Sequence, residues 1–509
     1  MNRGALDTLI GWLSPQTAVR RAQARRILAS YDAASPTRLR RFSRETRSGE
    51  SLARLQAPSI RQQARDLDRN HDLARGALTV LVDNIVGPQG IGIEPQPRSV
   101  SGEINDELSR QLLDLWRDWC RYPEVTFQHS WASAQRIACR TWLRDGECFA
   151  QILQGSVPAL DHRSIIPLSL ELIEPDLVPT ENDLLMADRS GGIVRNAWGQ
   201  PVAYRVYKVH PGDTFAWRAR EDLKTVPAER MLHLRLVDRI GQHRGVSALA
   251  SVITRLEDLK DYEESERVAA KIAASMAGYI KKGAPDLYTQ DTTEADGTPA
   301  PRDLRFRPGM IFDDLLPGEE IGTIDTTRPN TNLQSYRDGQ LRAVAAGAGA
   351  SYSSVSRNYD GTYSAQRQEL VEQWVHYAAL AETFISQFVR PVWERFVVLA
   401  ELAGAIQVPA DIDRASLDDA LYIAQTMPWI DPAKEATANE TLERALHKSA
   451  PEIIRARGAN PREVLAQQAN WLRAKKAAGL VEEPKPAPAP PADAGADDAA
   501  AEQTKRDDA

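Results

Sequence analysis

Residues 64–91 read ARDLDRNHDLARGALTVLVDNIVGPQGI, and this stretch sets the fold class. Ala64, Leu67, Ala74, Leu78, Leu81 and Ile85, with Ile60 just upstream, recur at spacings of three, four and seven. That periodicity predicts one amphipathic helix from Ile60 to Val86. Gly87-Pro88, followed by Gly90 and Gly92, stops it, because proline removes a helix donor and glycine suits the turn beyond a helix end. A helix with so long an apolar stripe needs neighbours to cover it.

The flanking sequence supplies them. A second helix is predicted over Glu103–Cys120, with Ile104, Leu108, Leu112, Leu115, Trp116 and Trp119 on one stripe, and a third over Trp131–Leu143, ending at Asp145-Gly146. Cys148–Leu153, Leu168–Glu174, Val202–Tyr207 and Met231–Val237 then read as strands between Pro and Gly punctuation, so 144–240 is expected to form an antiparallel or mixed sheet beside the helices. A long helix is predicted from Val246 to Lys281 with Ser247 as N-cap. Its ends are apolar and its DYEESER centre is charged, which suits a helix packed between neighbours or lining a wet space. Residues 283–329 read as a small β-containing excursion, Leu333–Ala346 as a helix, and AGAGASYSSVSRNYDGTYSA as an ordered loop. A helix over Gln366–Leu402 is expected to kink or split at Pro391. Asp431-Pro432, the capping box Ser449–Glu452 and Asn460-Pro461-Arg462-Glu463 open three short helices of a compact subdomain. The fold class is α+β, mainly helical.

At 509 residues the chain can bury more than one core. No apolar run approaches the ~18 residues of a membrane span. The N-terminal MNRGALDTLIGWLSPQTAVRR has an apolar patch without a cleavage pattern, so cytosolic synthesis is expected. The net charge of −7 is unevenly placed. Residues 20–47 form a basic arm containing Arg20, Arg21, Arg25, Arg26, Arg38, Arg40, Arg41, Arg44 and Arg47, and the Pro/Ala-rich tail after 481 is acidic and is expected to be disordered. The arm fits either a nucleic-acid or acidic partner or a solvated extension. The near-neutral body argues against tight DNA binding, which needs many cationic contacts to phosphate. Cys120, Cys139 and Cys148 sit in apolar surroundings without ligand spacing and read as reduced, packed thiols.

Catalytic motifs do not emerge. There is no GxxxxGK[ST], no GxSxG and no HExxH, and the eight histidines are scattered singly. Asp145-Gly146-Glu147 could hold a divalent ion, but a turn is the favoured reading. Glu171, Glu174 and Asp176 loosely resemble a nuclease acid cluster, yet alternation puts Glu171 and Glu174 on opposite faces and no Asp-x-Glu-x-Lys spacing follows, so a structural role is favoured. Tyr352, Tyr359 and Tyr363 could stack on bases, although packing is the commoner use. No cofactor is expected.

Several segments, in order, resemble the lambda-type portal family from Ile27 to Leu480. Gly49-Glu-Ser-Leu-Ala-Arg-Leu55 precedes the opening stretch, where Arg65, Arg69, Asn70, Asn84, Val86, Gly87 and Gly90-Ile91 match. Trp142-Leu-Arg-Asp145-Gly146-Glu147-Cys-Phe149, Leu172-Ile-Glu174-Pro-Asp176 and Gly199-Gln-Pro-Val-Ala-Tyr204 follow. His210-Pro-Gly212, Val226-Pro-Ala-Glu229 and Gly241-Gln-His-Arg244-Gly245-Val246 come next. Pro308-Gly309, Pro317-Gly-Glu319, Tyr363-Ser-Ala-Gln-Arg367, Trp429-Ile-Asp-Pro-Ala-Lys-Glu435 and Arg457-Gly458 complete the series. Two departures stand out. Asn358 replaces the family's usual aspartate before tyrosine, and the Tyr363 element is one residue more compact.

The resemblance implies a ring of about twelve subunits closing head to tail at one capsid vertex, with no membrane partner. Double-stranded DNA would pass through it. The terminase large subunit and head-completion or tail-connector proteins would dock on it, and the major capsid protein would surround it. Residues 1–58 form the basic arm, which has no family motif to carry over; by resemblance, 59–245 is a wing, 246–281 and 330–348 are stem helices and 283–329 a clip. Residues 349–364 form a tunnel loop, 365–410 a long helix of wing and tunnel, 411–480 a crown and 481–509 a tail. Ser353, Ser354, Arg357, Asn358 and Tyr359 are the expected channel residues, and Arg302, Arg305, Arg307, Asp313 and Asp314 the expected docking residues. The location implied is the virion's portal vertex, with host cytoplasm during assembly. Two other readings stay open: a metal-dependent nuclease or hydrolase using Asp145, Glu147, Glu174 or Asp176, and another capsid assembly component.

Overall fold

The computed structural model describes residues 46–180, 192–213, 223–274, 278–282, 319–323, 332–427, 431–478 and 480. The opening stretch is two helices rather than one. Helix α1 (Gly49–Asn70) starts where the Ser48 hydroxyl accepts the Ser51 N–H and runs through Pro58, so its first turns precede the predicted start. His71 leaves helical geometry (φ −129°, ψ 115°), and α2 (Asp72–Ile85) follows. The His71 ring explains the break. Nδ1 takes the Leu73 N–H at 3.3 Å and Nε2 lies 3.0 Å from the Leu256 carbonyl, so one side chain caps α2 and ties it to a distant segment.

Helices α3 (Asp106–Trp119) and α4 (Trp131–Asp145) complete the N-terminal layer. The stripe read from the sequence becomes an aromatic core in which Trp116 stacks on Trp119 and meets Trp131, Trp393 and Phe396 edge-on. Strand β1 (Gly92–Pro95) pairs antiparallel with β10 (Ala420–Ile423), fastening the C-terminal third to this core.

The single sheet expected over 144–240 is two three-stranded antiparallel sheets. In the first, β2 (Glu147–Gln154) lies between β3 (Leu168–Ile173) and β7 (Met231–Arg235). In the second, β5 (Pro201–Tyr207) lies between β4 (Ile193–Arg195) and β6 (Leu223–Pro227). Phe149, Ile173, Tyr204, Val206, Val226 and Met231 form a separate small core between them. The three cysteines are free, and burial raises the Cys120, Cys139 and Cys148 thiols.

The helix expected over 246–281 is shorter. Helix α5 spans Ile253–Ala274, and Gly278–Lys282 is strand β8, paired with β9 (Glu319–Thr323). Its apolar stripe of Leu256 and Leu259 is buried as read. Helix α6 (Leu333–Ala348) runs antiparallel to α5: Ser251 donates to the Gly347 carbonyl, Arg255 to Gln340, and Arg337 to Glu263 at 2.7 Å. The approach is close at Gly347, where a Cβ would lie 2.5 Å from Val252 Cγ1.

Residues 349–362 hold a short helix, α7 (Tyr352–Ser356), inside the expected loop. The long C-terminal helix splits as expected near Pro391. Helix α8 (Tyr363–Phe384) passes through a π turn (Ile385–Val389) into α9 (Arg390–Leu402). The proline cannot donate back to the preceding turn, and the widened turn absorbs the mismatch. The three predicted caps are all present, at Asp431 for α10 (Pro432–Arg444), Ser449 for α11 (Ala450–Arg455) and Asn460 for α12 (Pro461–Ala477). The subdomain they open is not compact. No residue of α10 or α11 is buried, and Pro461 alone is buried in α12.

Candidate functional site

The motif residues converge where α1, α4, β2, β7 and the 239–247 segment meet. Asp145 ends α4 and Glu147 opens β2, both fully buried. Gly146 between them takes φ +90°, so the turn reading of this triplet holds. Asp145 accepts Arg65 Nη2 at 2.7 Å and Arg144 Nε at 2.7 Å. Glu147 accepts Arg61 Nη2 at 2.9 Å, Arg244 Nε at 2.9 Å and the Gly245 N–H at 3.1 Å, with His233 Nε2 at 3.3 Å. Asp176 receives Arg61 at 3.1 Å and Arg65 at 2.6 Å. Lys224 Nζ donates to Glu171 at 2.6 Å.

The electrostatics follow. Burial alone would raise Glu147, but Arg244, the His233 hydrogen bond and Arg61 together hold it well below the usual carboxylate range. Burial pushes His233 down to about 4, with the Glu147 hydrogen bond opposing, so its ring is neutral near pH 7. Asp176 is likewise held low by Arg61 and Arg65 against its burial. Asp145, Glu147 and Asp176, three of the four carboxylates of a would-be nuclease, are therefore occupied by guanidinium groups, while Glu174 is half-exposed with Arg65 at 4.0 Å. Among the described residues, Glu174, Asp176 and His210 bring ligand atoms within 4.8 Å of one another. His210, which the sequence offered as an isolated histidine, comes within 3.6 Å of Glu174. Asp176 already carries two arginines there, so the cationic charge a metal would bring is supplied by the chain itself.

Two glycines let the hub close. A Cβ at Gly146 would lie 2.4 Å from the Val246 carbonyl carbon, and one at Gly245 would lie 2.0 Å from the Gly146 oxygen. The Asp-Gly-Glu and Arg-Gly-Val segments, 98 residues apart from Glu147 to Gly245, interlock backbone to backbone.

The expected channel residues divide into two kinds. Ser353 gives its N–H to Glu369 Oε1 at 3.0 Å and its hydroxyl to the same carboxylate, while Ser354 N–H bonds the Ser351 capping hydroxyl. Ser353 is thus consumed in holding α7, whereas Ser354 contributes its backbone N–H. Arg357 ends α7 in the left-handed region at φ +56° and is exposed, as is Tyr359, whereas Asn358 turns its amide oxygen to the Asp360 N–H at 2.9 Å. Sequence reasoning missed Glu369, which also accepts the Ser351 hydroxyl, and Tyr377, whose hydroxyl accepts the Ser351 N–H at 3.0 Å. Arg302, Arg305, Arg307, Asp313 and Asp314 lie outside the described residues.

In this mixed helix–strand chain the motif acids and arginines are spent largely on one another. Residues 35–380 match the model of the phage portal protein, lambda family, and the chain belongs to that family. It is 24% identical over 440 residues to the probable portal protein of Halomonas phage phiHAP-1, covering 83% of this chain and 81% of that one. It is 22% identical over 459 residues to portal protein B of Escherichia phage lambda, covering 82% and 84% respectively. Among solved structures, a chain of the virion of a native gene transfer agent particle aligns with TM-score 0.40 at 13% identity, over 80% of this chain and 94% of that one. A chain of that particle's neck, computed with C12 symmetry, gives 0.39 at 13%, over 79% and 97%.

Proposed function

We propose that copies of this chain close into a ring of about twelve at the portal vertex of a phage virion, forming the conduit by which double-stranded DNA is packaged and ejected. The observation that carries this reading is the antiparallel α5–α6 pair leading into the β8–β9 pairing, in a chain of the portal family. The pair serves as the stem. The clip across 283–329 offers the docking face for the terminase large subunit and later the head-completion proteins, and the body holds the wing against the major capsid protein. Glu257, Asp258, Asp261 and Glu264 are exposed on α5. Arg255, Arg267 and Lys271 are exposed on it too, so the wall is only mildly negative, which lets a duplex slide, since each fixed cationic contact would add to the cost of movement. Of the five expected channel residues, Arg357 and Tyr359 are exposed and available to touch it.

Negative-stain microscopy with solution mass tests the reading. Rings with a central hole wide enough for a duplex are expected, and one or two chains under all assembly conditions would overturn it. The enzyme reading has its own test: Mg²⁺-dependent DNA cleavage lost on Glu174→Ala or Asp176→Ala would revive it, and no such cleavage is expected.

A further inference from the structure

We infer that Glu369 is the positioning residue of the 349–362 segment: its carboxylate clamps α7 onto α8 and so fixes where Arg357 and Tyr359 stand. That these two meet a duplex rests on the conduit reading above, whereas the clamp stands without it. Residues 369, 373 and 377 recur every four positions and share one face of α8. Gln373 donates to the Gly349 carbonyl at 2.6 Å, and the Tyr377 hydroxyl accepts the Ser351 N–H at 3.0 Å. One turn earlier, Glu369 Oε1 accepts the Ser351 hydroxyl at 2.7 Å and the Ser353 N–H at 3.0 Å, while Oε2 accepts the Ser353 hydroxyl at 2.5 Å. Burial raises the Glu369 carboxyl, but these donors outweigh it and hold the group below its ordinary value, so the charge that accepts them is present at neutral pH.

Both sides of the clamp are anchored. Val355 of α7 is buried, and α8 runs on into buried Ala381 and Phe384. Beyond α7 little chain is left free. Arg357 turns left-handed, Asn358 gives its N–H to the Ser356 hydroxyl at 3.2 Å, Gln366 donates to the Tyr359 carbonyl, and Thr362 caps α8. Residues 357–362 therefore hang between two fixed ends, and Glu369 sets one of them. Its partners are serine hydroxyls and main-chain N–H groups, where those of Glu147 are buried arginines. Removing Glu369 strands no buried cation, so the clamp opens without unfolding the core beneath it.

Double electron–electron resonance in the unassembled full chain tests it, with nitroxides on Arg357→Cys and on Ala379→Cys, an exposed position farther along α8. Burial raises the native thiols, so the two introduced cysteines take the label. One narrow distance distribution is expected. Glu369→Ala should broaden it by about twofold or more, and Glu369→Gln should fall between, because the amide keeps one acceptor oxygen. Ser353→Ala should broaden it alone and add nothing once Glu369 is gone. Glu372→Ala, on the exposed side of the same helix, should change nothing. An unchanged width in Glu369→Ala, or equal broadening in Glu372→Ala, would overturn the clamp. Were the alanine variant not to fold, unchanged widths in both Glu369→Gln and Ser353→Ala would do the same. In assembled rings mixed with linear duplex, an aryl azide on Arg357→Cys should cross-link to DNA several-fold less in Glu369→Ala. Equal cross-linking would overturn the positioning role, and none in either protein would overturn Arg357 as a duplex contact. Failure to form rings would count against the conduit reading and leave the distance measurement to decide the clamp.

Discussion

Glu147 is a buried carboxylate whose neighbours are two arginines, a neutral histidine and a backbone N–H. Removing its charge leaves Arg61 and Arg244 buried and uncompensated, so Glu147→Gln is expected to cost about 3–5 kcal/mol, read from the denaturant midpoint. The pH dependence has one sign for the whole hub. His233 titrates near 4 in the folded chain and near 6.5 when unfolded, so its contribution is complete above about 6.5 and is lost as pH falls toward 4. Glu147 and Asp176 are held below their ordinary values, so their contributions are complete above the carboxylate range and are lost at still lower pH. Midpoints measured from pH 8 downward should decline from about 6.5, with the upper part of the decline removed in His233→Gln; a flat profile between pH 7 and 4.5 would contradict this. The acids of the hub and their structural role were legible in the sequence, and their distant partners were not. Arg61 lies 86 positions from Glu147 and Arg244 lies 97, and no local spacing announces such pairs.

At the scale of elements, the reading was strongest where the signal is local. The caps at Asp431, Ser449 and Asn460 are made by side chains within three residues of the bonds they satisfy, and each helix starts where its cap predicts. It was weakest where a distant group decides. The His71 break depends on the Leu256 carbonyl, and the stripe on either side of it keeps its period, so periodicity alone ran through. The strand at Gly278–Lys282 exists because Glu319–Thr323 pairs with it, and AAKIAASMAGYI looks as helical as what precedes it. The glycines of the hub are testable here. Gly146→Ala combines a left-handed backbone with a clash against rigid main chain, and Gly245→Ala meets the Gly146 oxygen from the other side. Each is expected to cost about 3 kcal/mol or more, and the double variant less than the sum because one contact is lost twice. Gly102→Ala provides the contrast: it shares φ +90° but has open space around it, so only the backbone strain of about 1 kcal/mol remains. Equal losses at Gly102 and Gly146 would show that the interlock contributes nothing.

The molecule as a whole is held together in two ways. Most of the body from α1 to α9 shares one continuous apolar core, with the smaller core between the two sheets beside it. The 431–480 module is attached differently: Arg455 bonds the buried Glu94 at 2.8 Å, Arg462 bonds Asp106 at 2.9 Å, Arg367 lies 3.7 Å from Glu435, and Arg117 reaches Glu463. Leu446, Leu465, Trp471 and Leu472 remain exposed on the module. Helices this short are marginal without a packed face, so in a single copy the module stays docked chiefly through charge. Raising salt from about 0.1 M to 1 M shrinks the screening length from about 10 to about 3 Å, which weakens the half-exposed pairs while leaving the apolar core intact. Amide exchange followed by mass spectrometry on unassembled protein should therefore accelerate several-fold in 450–477 on adding salt, with 131–145 unchanged. Glu94→Gln should reproduce the acceleration at low salt, because Arg455 then loses its charged partner. If a neighbouring copy covers Trp471 and Leu472 in the ring, the salt response should shrink on assembly while that of the free chain persists. Exchange in 450–477 that ignores both salt and Glu94→Gln would mean that apolar packing, and not this set of ion pairs, fixes the module to the body.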